Sequence, residues 1–260
     1  MSHIQRKTVL ITGASTGIGY ELAKLFAKDA YDLILVARGA EGLIKVADEL
    51  TKEYSSTVVT IAQDLSQPGA ATNVFKQLED KNLTIDVLVN NAGFGTYGEF
   101  TEVPLADQLG MMQVNMVSLV ELTYLVLRGM RKRKQGKILN VASTAAFQPG
   151  PFMAIYFASK AFLLSFSEAL STEVLADLIV VTALCPGPTK TQFTTRAHLE
   201  NSKMFKGNLM GANRVASEGY KALKEGKLLV IPGRLNQLGA FVTRLVSRKF
   251  VVWLLYRNQG

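Results

Sequence analysis

The chain has 260 residues, 48% of them hydrophobic, which allows one large core and predicts a single α/β domain over residues 1–260. Its one cysteine, Cys185, excludes an intramolecular disulfide, and its two histidines, His3 and His198, argue against a histidine-based metal site, so we expect no metal. The formal net charge of +8 leaves nucleic acid, a membrane surface and anionic ligands open as partners until the positive charges are located.

Short apolar runs alternate with longer amphipathic stretches along the chain. Seven runs rich in Val, Ile and Leu predict strands: Thr8–Thr12, Asp32–Ala37, Thr57–Gln63, Val87–Asn90, Lys137–Val141, Ile179–Cys185 and Leu228–Ile231. Five stretches with helical spacing predict helices: Gly17–Ala30, Leu43–Tyr54, Asn73–Lys81, Leu105–Lys132 and Ala154–Val174. The alternation predicts a doubly wound parallel sheet, a Rossmann fold with helices on both faces, whose ligands bind beyond the carboxyl ends of the strands.

The first predicted strand runs into a glycine-rich turn that opens a helix, Thr12-Gly13-Ala14-Ser15-Thr16-Gly17-Ile18-Gly19. Glycines permit a tight turn and a close approach of the backbone to a pyrophosphate at the helix amino terminus. The spacing is looser than the usual dinucleotide fingerprint, and such a turn can be merely structural. It predicts cofactor contacts from Gly13, Ser15, Thr16, Gly17, Ile18 and Gly19.

The ends of the next three strands carry further candidate cofactor contacts. The second strand ends at Arg38 in place of the usual acid of NAD-binding sheets. A guanidinium suits a 2′-phosphate, so NADP(H) is favoured over NAD(H), although an arginine at a strand end can simply be exposed. Asp64 and Leu65 follow the third strand, near the expected adenine, where a carboxylate is also an ordinary helix cap. The small residues of Asn91-Ala92-Gly93 follow the fourth strand and allow the backbone to pass beside the cofactor.

The long predicted helix Leu105–Lys132 ends in a basic cluster, Arg128, Arg131, Lys132, Arg133, Lys134 and Lys137. Cations at a helix carboxyl terminus complement its dipole, which favours an ordinary solvated helix end. No zinc-finger spacing or aromatic-interleaved basic stripe accompanies the cluster. We therefore expect no nucleic-acid binding.

The strongest chemical signal is the pair Tyr156 and Lys160, which share one face of the predicted helix Ala154–Val174, with Ser143 at the end of the preceding strand. A free tyrosine has a pKa of about 10, too high for a base at neutral pH, and an adjacent cation lowers it. A Tyr-x3-Lys pair alone is more often a surface contact. Its occurrence in order after the glycine-rich turn, Asn90-Asn91-Ala92-Gly93 and Ser143 predicts an active site.

With these motifs the chain resembles the short-chain dehydrogenase/reductase family, of the compact type with a Tyr-x3-Lys active site, over roughly residues Val9–Thr191. The resemblance implies that Tyr156 donates or accepts the proton and that Ser143 hydrogen-bonds the substrate oxygen. It implies that Lys160 lowers the tyrosine pKa and binds the nicotinamide ribose. It also implies that Asn115 holds a water linking Lys160 to solvent.

The segment Pro186-Gly187-Pro188-Thr189-Lys190-Thr191 matches the family's loop after the sixth strand. The resemblance implies cofactor contacts from Pro186, Gly187, Thr189 and Thr191. Threonine at position 189 departs from the commoner Val or Ile, a change that a backbone contact survives. Some relatives bind the 2′-phosphate through a basic residue where Thr16 stands, so the preference for NADP(H) depends here on Arg38.

These motifs predict an oxidoreductase that transfers hydride between NADP(H) and a small-molecule carbonyl or secondary alcohol. Six aromatic residues near the inferred pocket suggest an apolar or lipid-like substrate, although they can equally be core: Phe94, Tyr97, Phe147, Phe152, Phe193 and Phe205. Two alternatives stay open, the same chemistry with NAD(H) and a non-catalytic NADP(H)-binding redox sensor. The resemblance implies a homodimer or homotetramer through the two long helices, with Leu119, Leu122, Phe162 and Phe166 compatible with such contacts.

Two segments break the alternation of strands and helices. Residues 192–213 follow a strand's carboxyl end, where a substrate lid would lie. Residues 234–260 form a basic and apolar tail, and from Gly226 onward the chain has six basic residues and no Asp or Glu. Its apolar residues at helical spacing favour either a terminal helix packed on the body or contact with an anionic membrane. No secretory signal precedes Val9–Ile11, so we expect a cytoplasmic protein with possible membrane association.

Overall fold

The computed structural model describes residues 6–193 and 209–259. Its strands are β1 (Thr8–Thr12), β2 (Asp32–Ala37), β3 (Val58–Ala62), β4 (Val87–Asn90), β5 (Gly136–Val141), β6 (Ile179–Leu184), β7 (Thr189–Lys190), β8 (Met210–Gly211) and β9 (Leu229–Val230). Seven of them form one parallel sheet in the order β3-β2-β1-β4-β5-β6-β9, and β7 pairs with β8. This confirms the predicted doubly wound Rossmann fold, with strand ends within one residue of prediction.

The helices are α1 (Gly17–Lys28), α2 (Ala40–Tyr54), α3 (Ala70–Asp80), α4 (Leu105–Met112), α5 (Ser118–Arg133), α6 (Ala154–Glu173), α7 (Ala212–Lys224), α8 (Arg234–Val242) and α9 (Arg248–Gln259). Sequence reasoning missed α7, although Val215, Tyr220 and Leu223 recur at helical spacing and are buried. Of the predicted lid, residues 192–193 and 209–213 are described. The rest of that segment lies outside the described residues.

Alternate residues of the strands pack on opposite faces of the sheet. Val9 and Ile11 of β1 lie in a core with Phe26 of α1, and the same core includes side chains of α2 and α7. Leu10 lies in the opposite core with Leu122 of α5, together with side chains of α3 and α6. Full burial of each such side chain contributes about 1.5–3 kcal/mol, so the two cores hold the strand ends in a fixed arrangement.

The prediction of one continuous helix over Leu105–Lys132 is wrong, because the helix is interrupted in its middle. A π-helical turn over Gln113–Val117 separates α4 from α5. The wider turn contains the buried Asn115, whose side chain hydrogen-bonds to the backbone of Phe94. Such turns occur frequently at functional sites. Periodicity alone did not reveal the turn, because the apolar spacing continues through it.

The stretch Leu105–Arg133 is also long and apolar enough to cross a membrane by length and composition, with a mean hydropathy of 1.3. Its residues Leu122, Val126 and Met130 are buried in the core beneath the sheet. A core helix passes the same test of length and composition, and 39% of the apolar window in this stretch is buried within the chain.

A network of buried polar side chains crosses the sheet below the strand ends. Asn90 of β4 donates to Asn140 of β5 (2.9 Å) and to Thr123 of α5 (3.0 Å), and Asn140 donates to Ser167 of α6 (2.8 Å). An unpaired buried polar group costs about 1–3 kcal/mol, so each member holds its neighbours. This network of side chains fixes α5 and α6 to the centre of the sheet, directly beneath the carboxyl ends of the strands.

Candidate active site

A cavity of about 280 Å³ lies at the carboxyl ends of the strands. Most residues predicted from the sequence line it: Gly13, Ser15, Thr16, Gly17, Ile18, Arg38, Asp64, Leu65, Asn91, Ala92, Gly93, Ser143, Tyr156, Lys160, Pro186, Gly187, Thr189 and Thr191. Gly19 and Asn115 are not in its lining. The structure thus brings together side chains from six separate strand ends.

The turn after β1 forms a cradle in which a side chain would not fit. Gly13 and Gly17 have φ angles of +66° and +60°, which favour glycine. A Cβ at Gly13 would lie 2.8 Å from Asn91 Nδ2, and one at Gly19 would lie 2.3 Å from the Gly13 carbonyl oxygen. The side chain of Thr16 does not cap α1, which leaves the first amides of the helix facing the cavity. The cradle therefore fits an anionic group such as a dinucleotide pyrophosphate.

Thr12 and Asn91 connect this cradle to the end of β4. Thr12 Oγ1 accepts hydrogen bonds from the backbone amides of Asn91 and Ala92, both at 3.0 Å. Asn91 Nδ2 donates in return to the carbonyl oxygens of Thr12 (2.9 Å) and Gly13 (3.0 Å). Asn91 is thus a positioning residue for the cradle, and Thr12 is a residue that sequence reasoning missed.

Arg38 and Asp64 lie at the end of the cavity near β2 and β3. The Arg38 side chain is exposed and makes no hydrogen bond or ion pair with any part of the chain that the structure describes. The guanidinium is therefore available to an anionic ligand. Asp64 Oδ1 accepts from the backbone amide of Ser66 at 2.9 Å, a bond within the turn after β3. The helix-cap role considered from the sequence is not present, because the next helix, α3, begins at Ala70 with Gly69 as its N-cap and has no side-chain cap. The contact of Asp64 with the adenine stays a prediction.

Ser143, Tyr156 and Lys160 meet at the opposite end of the cavity. Ser143 precedes a 3₁₀ turn (Thr144–Phe147), and its hydroxyl accepts from the Ala145 amide at 3.1 Å and interacts with the Tyr156 hydroxyl. The first turns of α6 position the other two. Lys160 Nζ donates to the Val141 carbonyl oxygen at 2.9 Å and lies 5.8 Å from the centroid of the Tyr156 ring.

Burial dominates the ionisation of this pair. It raises the pKa of Tyr156 to about 12, an effect that the hydrogen bond with Ser143 partly offsets, and it lowers the pKa of Lys160 to about 8. The prediction that the cation lowers the tyrosine pKa below its ordinary value is therefore wrong for the chain in this structure, because desolvation outweighs the hydrogen bond with Ser143. At neutral pH, Tyr156 is a neutral phenol that can donate a proton.

Asn115 lies behind the cavity wall. Its side-chain nitrogen donates to the Phe94 carbonyl oxygen (3.0 Å) and to Ser159 Oγ (3.1 Å). A Cβ at Gly93 would lie 3.0 Å from Asn115 Oδ1 and 3.5 Å from Lys160 Nζ, which places Gly93 between the two side chains. Asn115 thus holds α6 against the loop after β4, and its link to Lys160 through a water stays a prediction.

The cavity wall next to Tyr156 is largely apolar. Phe94 and Phe193 line it as predicted, and the Phe193 ring centroid lies 5.3 Å from that of Tyr156. Sequence reasoning missed Met153 and Phe157, which also line it. The other aromatic residues considered from the sequence lie elsewhere: Tyr97 and Phe152 contact each other outside the lining, Phe147 packs against a side core, and Phe205 lies outside the described residues.

Comparison with known proteins gives a family match over most of the chain. Residues 7–202 match the family described as short chain dehydrogenase. The ketoacyl reductase HetN of Nostoc sp. is 30% identical over 247 residues, covering 95% of this chain and 85% of that protein. The very-long-chain 3-oxoacyl-CoA reductase of Anas platyrhynchos is 37% identical over 183 residues, covering 68% of this chain but only 58% of that protein.

A solved structure extends the match to three dimensions. A short-chain dehydrogenase from Sphingobium yanoikuyae in complex with NADPH superposes with a TM-score of 0.82 at 30% identity. The superposition covers 92% of this chain and 94% of that one.

Proposed function

Because this chain belongs to the short-chain dehydrogenase family and is therefore an oxidoreductase, we propose that it interconverts a carbonyl and a secondary alcohol with NADP(H). The observation that carries the proposal is the convergence of Ser143, Tyr156 and Lys160 on one cavity that also contains the glycine cradle. A non-catalytic redox sensor would have no use for a buried proton donor facing the cavity. Reduction is the direction that a neutral Tyr156 supports.

We propose that a dinucleotide lies along the cavity, from the glycine cradle to Lys160. The cradle at Gly13 and Gly17 would hold the pyrophosphate, and Arg38 would hold a 2′-phosphate. Lys160 would contact the nicotinamide ribose. The bound nicotinamide would supply or accept the hydride. The NADPH in the Sphingobium yanoikuyae relative supports this assignment.

The chain's own residues account for the movement of the proton. Ser143 donates a hydrogen bond to the carbonyl oxygen and orients it beside the Tyr156 hydroxyl, which gives up its proton as the oxygen becomes negative. The phenolate left behind is buried and costly. Lys160, mostly protonated at pH 7, stabilises it through its positive charge, because electrostatic attraction is strong in a desolvated site.

Arg38→Ala is expected to remove most of the preference for NADPH over NADH. A charge-assisted hydrogen bond contributes roughly 1.5–3 kcal/mol, so the unmodified enzyme should prefer NADPH by about 10- to 100-fold in affinity. Fluorescence titration with both cofactors measures this ratio. Arg128→Ala, which removes an exposed arginine far from the cavity, is the matched control. Equal affinities of the unmodified enzyme for the two cofactors would contradict the role of Arg38.

We propose an apolar, chain-bearing ketone as the substrate, on the basis of the wall formed by Phe94, Met153, Phe157 and Phe193. The ketoacyl reductase and the very-long-chain 3-oxoacyl-CoA reductase among the relatives support this class. NADPH consumption should be measured with ketones and aldehydes of graded chain length. We expect kcat/KM to rise by about 4-fold for each methylene that becomes buried, since each contributes about 0.8 kcal/mol. Cofactor binding without turnover of any compound would instead favour the redox sensor.

We also propose a homodimer or homotetramer formed through α4, α5 and α6. Two of the four residues suggested from the sequence need a correction, because Leu119 and Leu122 are buried within the chain's own core. Phe162 and Phe166 are half-buried and stack on each other. Leu105, Leu109 and Tyr124 on the same helices are exposed and are the better candidates. Sedimentation velocity at micromolar concentration tests this proposal, and a monomer would contradict it.

A further inference from the structure

Each of the two carboxyl-terminal helices carries exposed apolar side chains. On α8 and the turn after it, these side chains follow helical spacing: Leu235, Leu238, Phe241, Val242 and Leu245. On α9 they are Phe250, Trp253 and Leu254. Leu235 is 85% exposed, Leu245 71% and Trp253 51%. We call these eight residues the tail surface. Exposed apolar groups of this size in one segment mark an interaction site.

The same helices are anchored to the body by other residues. Ala240 and Val251 are buried. Asn236 of α8 lies against Gly187 of the loop after β6, where a Cβ would be 2.4 Å from Asn236 Oδ1. The packing role considered from the sequence is therefore present on one side of the tail. It leaves the tail surface uncovered on the other.

The second helix of the tail also contacts a residue that lies next to the cavity lining. The ring of Tyr256 stacks on Phe152 at 5.4 Å, and Phe152 contacts Tyr97 at 5.8 Å. Phe152 has a φ of +60°, an unfavourable conformation for a bulky residue, which these contacts help to hold. Its neighbour Met153 lines the cavity. Helix α9 therefore reaches the residue next to the apolar wall of the cavity.

The charged residues of the tail itself have one sign. Arg234, Arg244, Arg248, Lys249 and Arg257 are exposed, and none of them forms an ion pair among residues 6–193 and 209–257. The guanidinium of Arg257 lies 5.6 Å from the Trp253 ring. Cations beside exposed aromatic and aliphatic side chains are typical of segments that lie at the surface of an anionic membrane.

We propose that the tail surface docks on an anionic phospholipid bilayer, with the apolar side chains inserted at the headgroup level and the arginines and lysine against lipid phosphates. A second copy of this chain is a poorer partner, because the tail has no acid from Gly226 onward and two such surfaces would repel each other. Docking would bring the end of the cavity near Phe152 close to the bilayer, from which an apolar substrate can enter. The docking itself does not depend on the proposed reaction.

The chain's single tryptophan, Trp253, lies in the tail surface and reports on docking without a label. The full chain is mixed with vesicles of phosphatidylcholine alone or of phosphatidylcholine with phosphatidylglycerol. We expect co-sedimentation and a blue shift of tryptophan emission only with the anionic vesicles, both weakened by salt. Protein that stays in the supernatant with both kinds of vesicle would overturn the proposal.

Paired variants separate the contribution of the apolar side chains to vesicle binding from that of the positive charges. Leu238→Asp with Phe241→Asp should abolish co-sedimentation, whereas Leu175→Asp with Leu178→Asp, at exposed apolar positions before β6, should leave it intact. Arg248→Glu with Lys249→Glu should weaken vesicle binding at least about 30-fold, since each cation near an anionic surface contributes roughly 5-fold. The control Lys132→Glu with Lys134→Glu makes the same charge change at the end of α5.

Two further results would overturn the proposal that the tail surface docks on a membrane. A blue shift that depends on protein concentration without vesicles, and that disappears in the Leu238→Asp, Phe241→Asp variant, would assign the tail surface to a second copy. Equal loss of vesicle binding in both charge variants would assign the attraction to net charge alone. Turnover of a short, water-soluble ketone by the tail variants shows that the active site is intact, so a failure of docking is distinguishable from a failure of the proposed function.

Discussion

Tyr156→Phe is expected to lower turnover by about 10²- to 10⁴-fold, the usual contribution of a general acid, while NADPH still binds. The substitution removes only the hydroxyl that lies beside Ser143, and the ring that packs against Phe193 remains. The loss should fall on kcat, because the proton is transferred only as the carbonyl is reduced. Steady-state NADPH oxidation and cofactor fluorescence measure the two quantities separately.

The Tyr156→Phe experiment has a matched control in Tyr124→Phe, which removes the same atom from an exposed tyrosine of α5. Near-normal turnover by Tyr156→Phe would show that another group supplies the proton. Loss of NADPH binding would instead show that the hydroxyl is needed to build the cofactor site.

The parts of the site that could be predicted from the sequence are those encoded by contiguous residues. Gly13 and Gly17 are needed because they have positive φ, and Gly13 and Gly19 because a Cβ there would meet Asn91. This constraint is visible in the spacing Gly13-x3-Gly17-x-Gly19. Tyr156 and Lys160 share a helix face by spacing alone. The strands were predictable because residues buried on both faces are apolar on successive positions.

Other features depend on contacts between distant segments, which no local pattern encodes. The π turn at Asn115 accompanies the bonds of this side chain to Phe94 and Ser159, residues 21 and 44 positions away. The network of polar side chains that connects Asn90 with Ser167 forms only when two strands and two helices meet. Burial also reversed the expected direction of the Tyr156 pKa, since the number of groups that would desolvate the phenol could not be predicted from its neighbours in sequence.

The burial of the tail residues could also not be predicted from a local pattern. Its helical spacing was correct, yet periodicity does not distinguish a face that packs on the body from one that faces outward. Ala240 and Val251 are buried, whereas Leu238 and Trp253 are exposed. That division follows from where Asn236 and Tyr256 meet the loops after β6 and β5.

The buried Lys160 is expected to make stability depend on pH in a direction opposite to that of a paired surface lysine. Burial lowers its pKa from 10.5 to about 8, so below pH 8 the folded chain holds a desolvated charge that the unfolded chain exposes to water. Between pH 8 and 10.5 the unfolded state binds more protons than the folded state, and the free energy of unfolding therefore rises with pH. The gain over that interval is about 3 kcal/mol.

Urea unfolding of the unmodified chain and of Lys160→Met at a series of pH values isolates this contribution. The free energy of unfolding of the unmodified chain, relative to that of the variant, should be lowest and constant below pH 8 and should rise by about 3 kcal/mol as the pH increases to 10.5. Methionine retains most of the aliphatic volume but leaves the Val141 carbonyl oxygen without its donor, a loss that shifts the difference by the same amount at every pH. Lys45→Met, at an exposed position of α2, controls for the general loss of a lysine. A difference that stays constant from pH 7 to 10.5 would mean that Lys160 is better solvated than its position beneath the cavity implies, and that its charge depends less on the site around Tyr156.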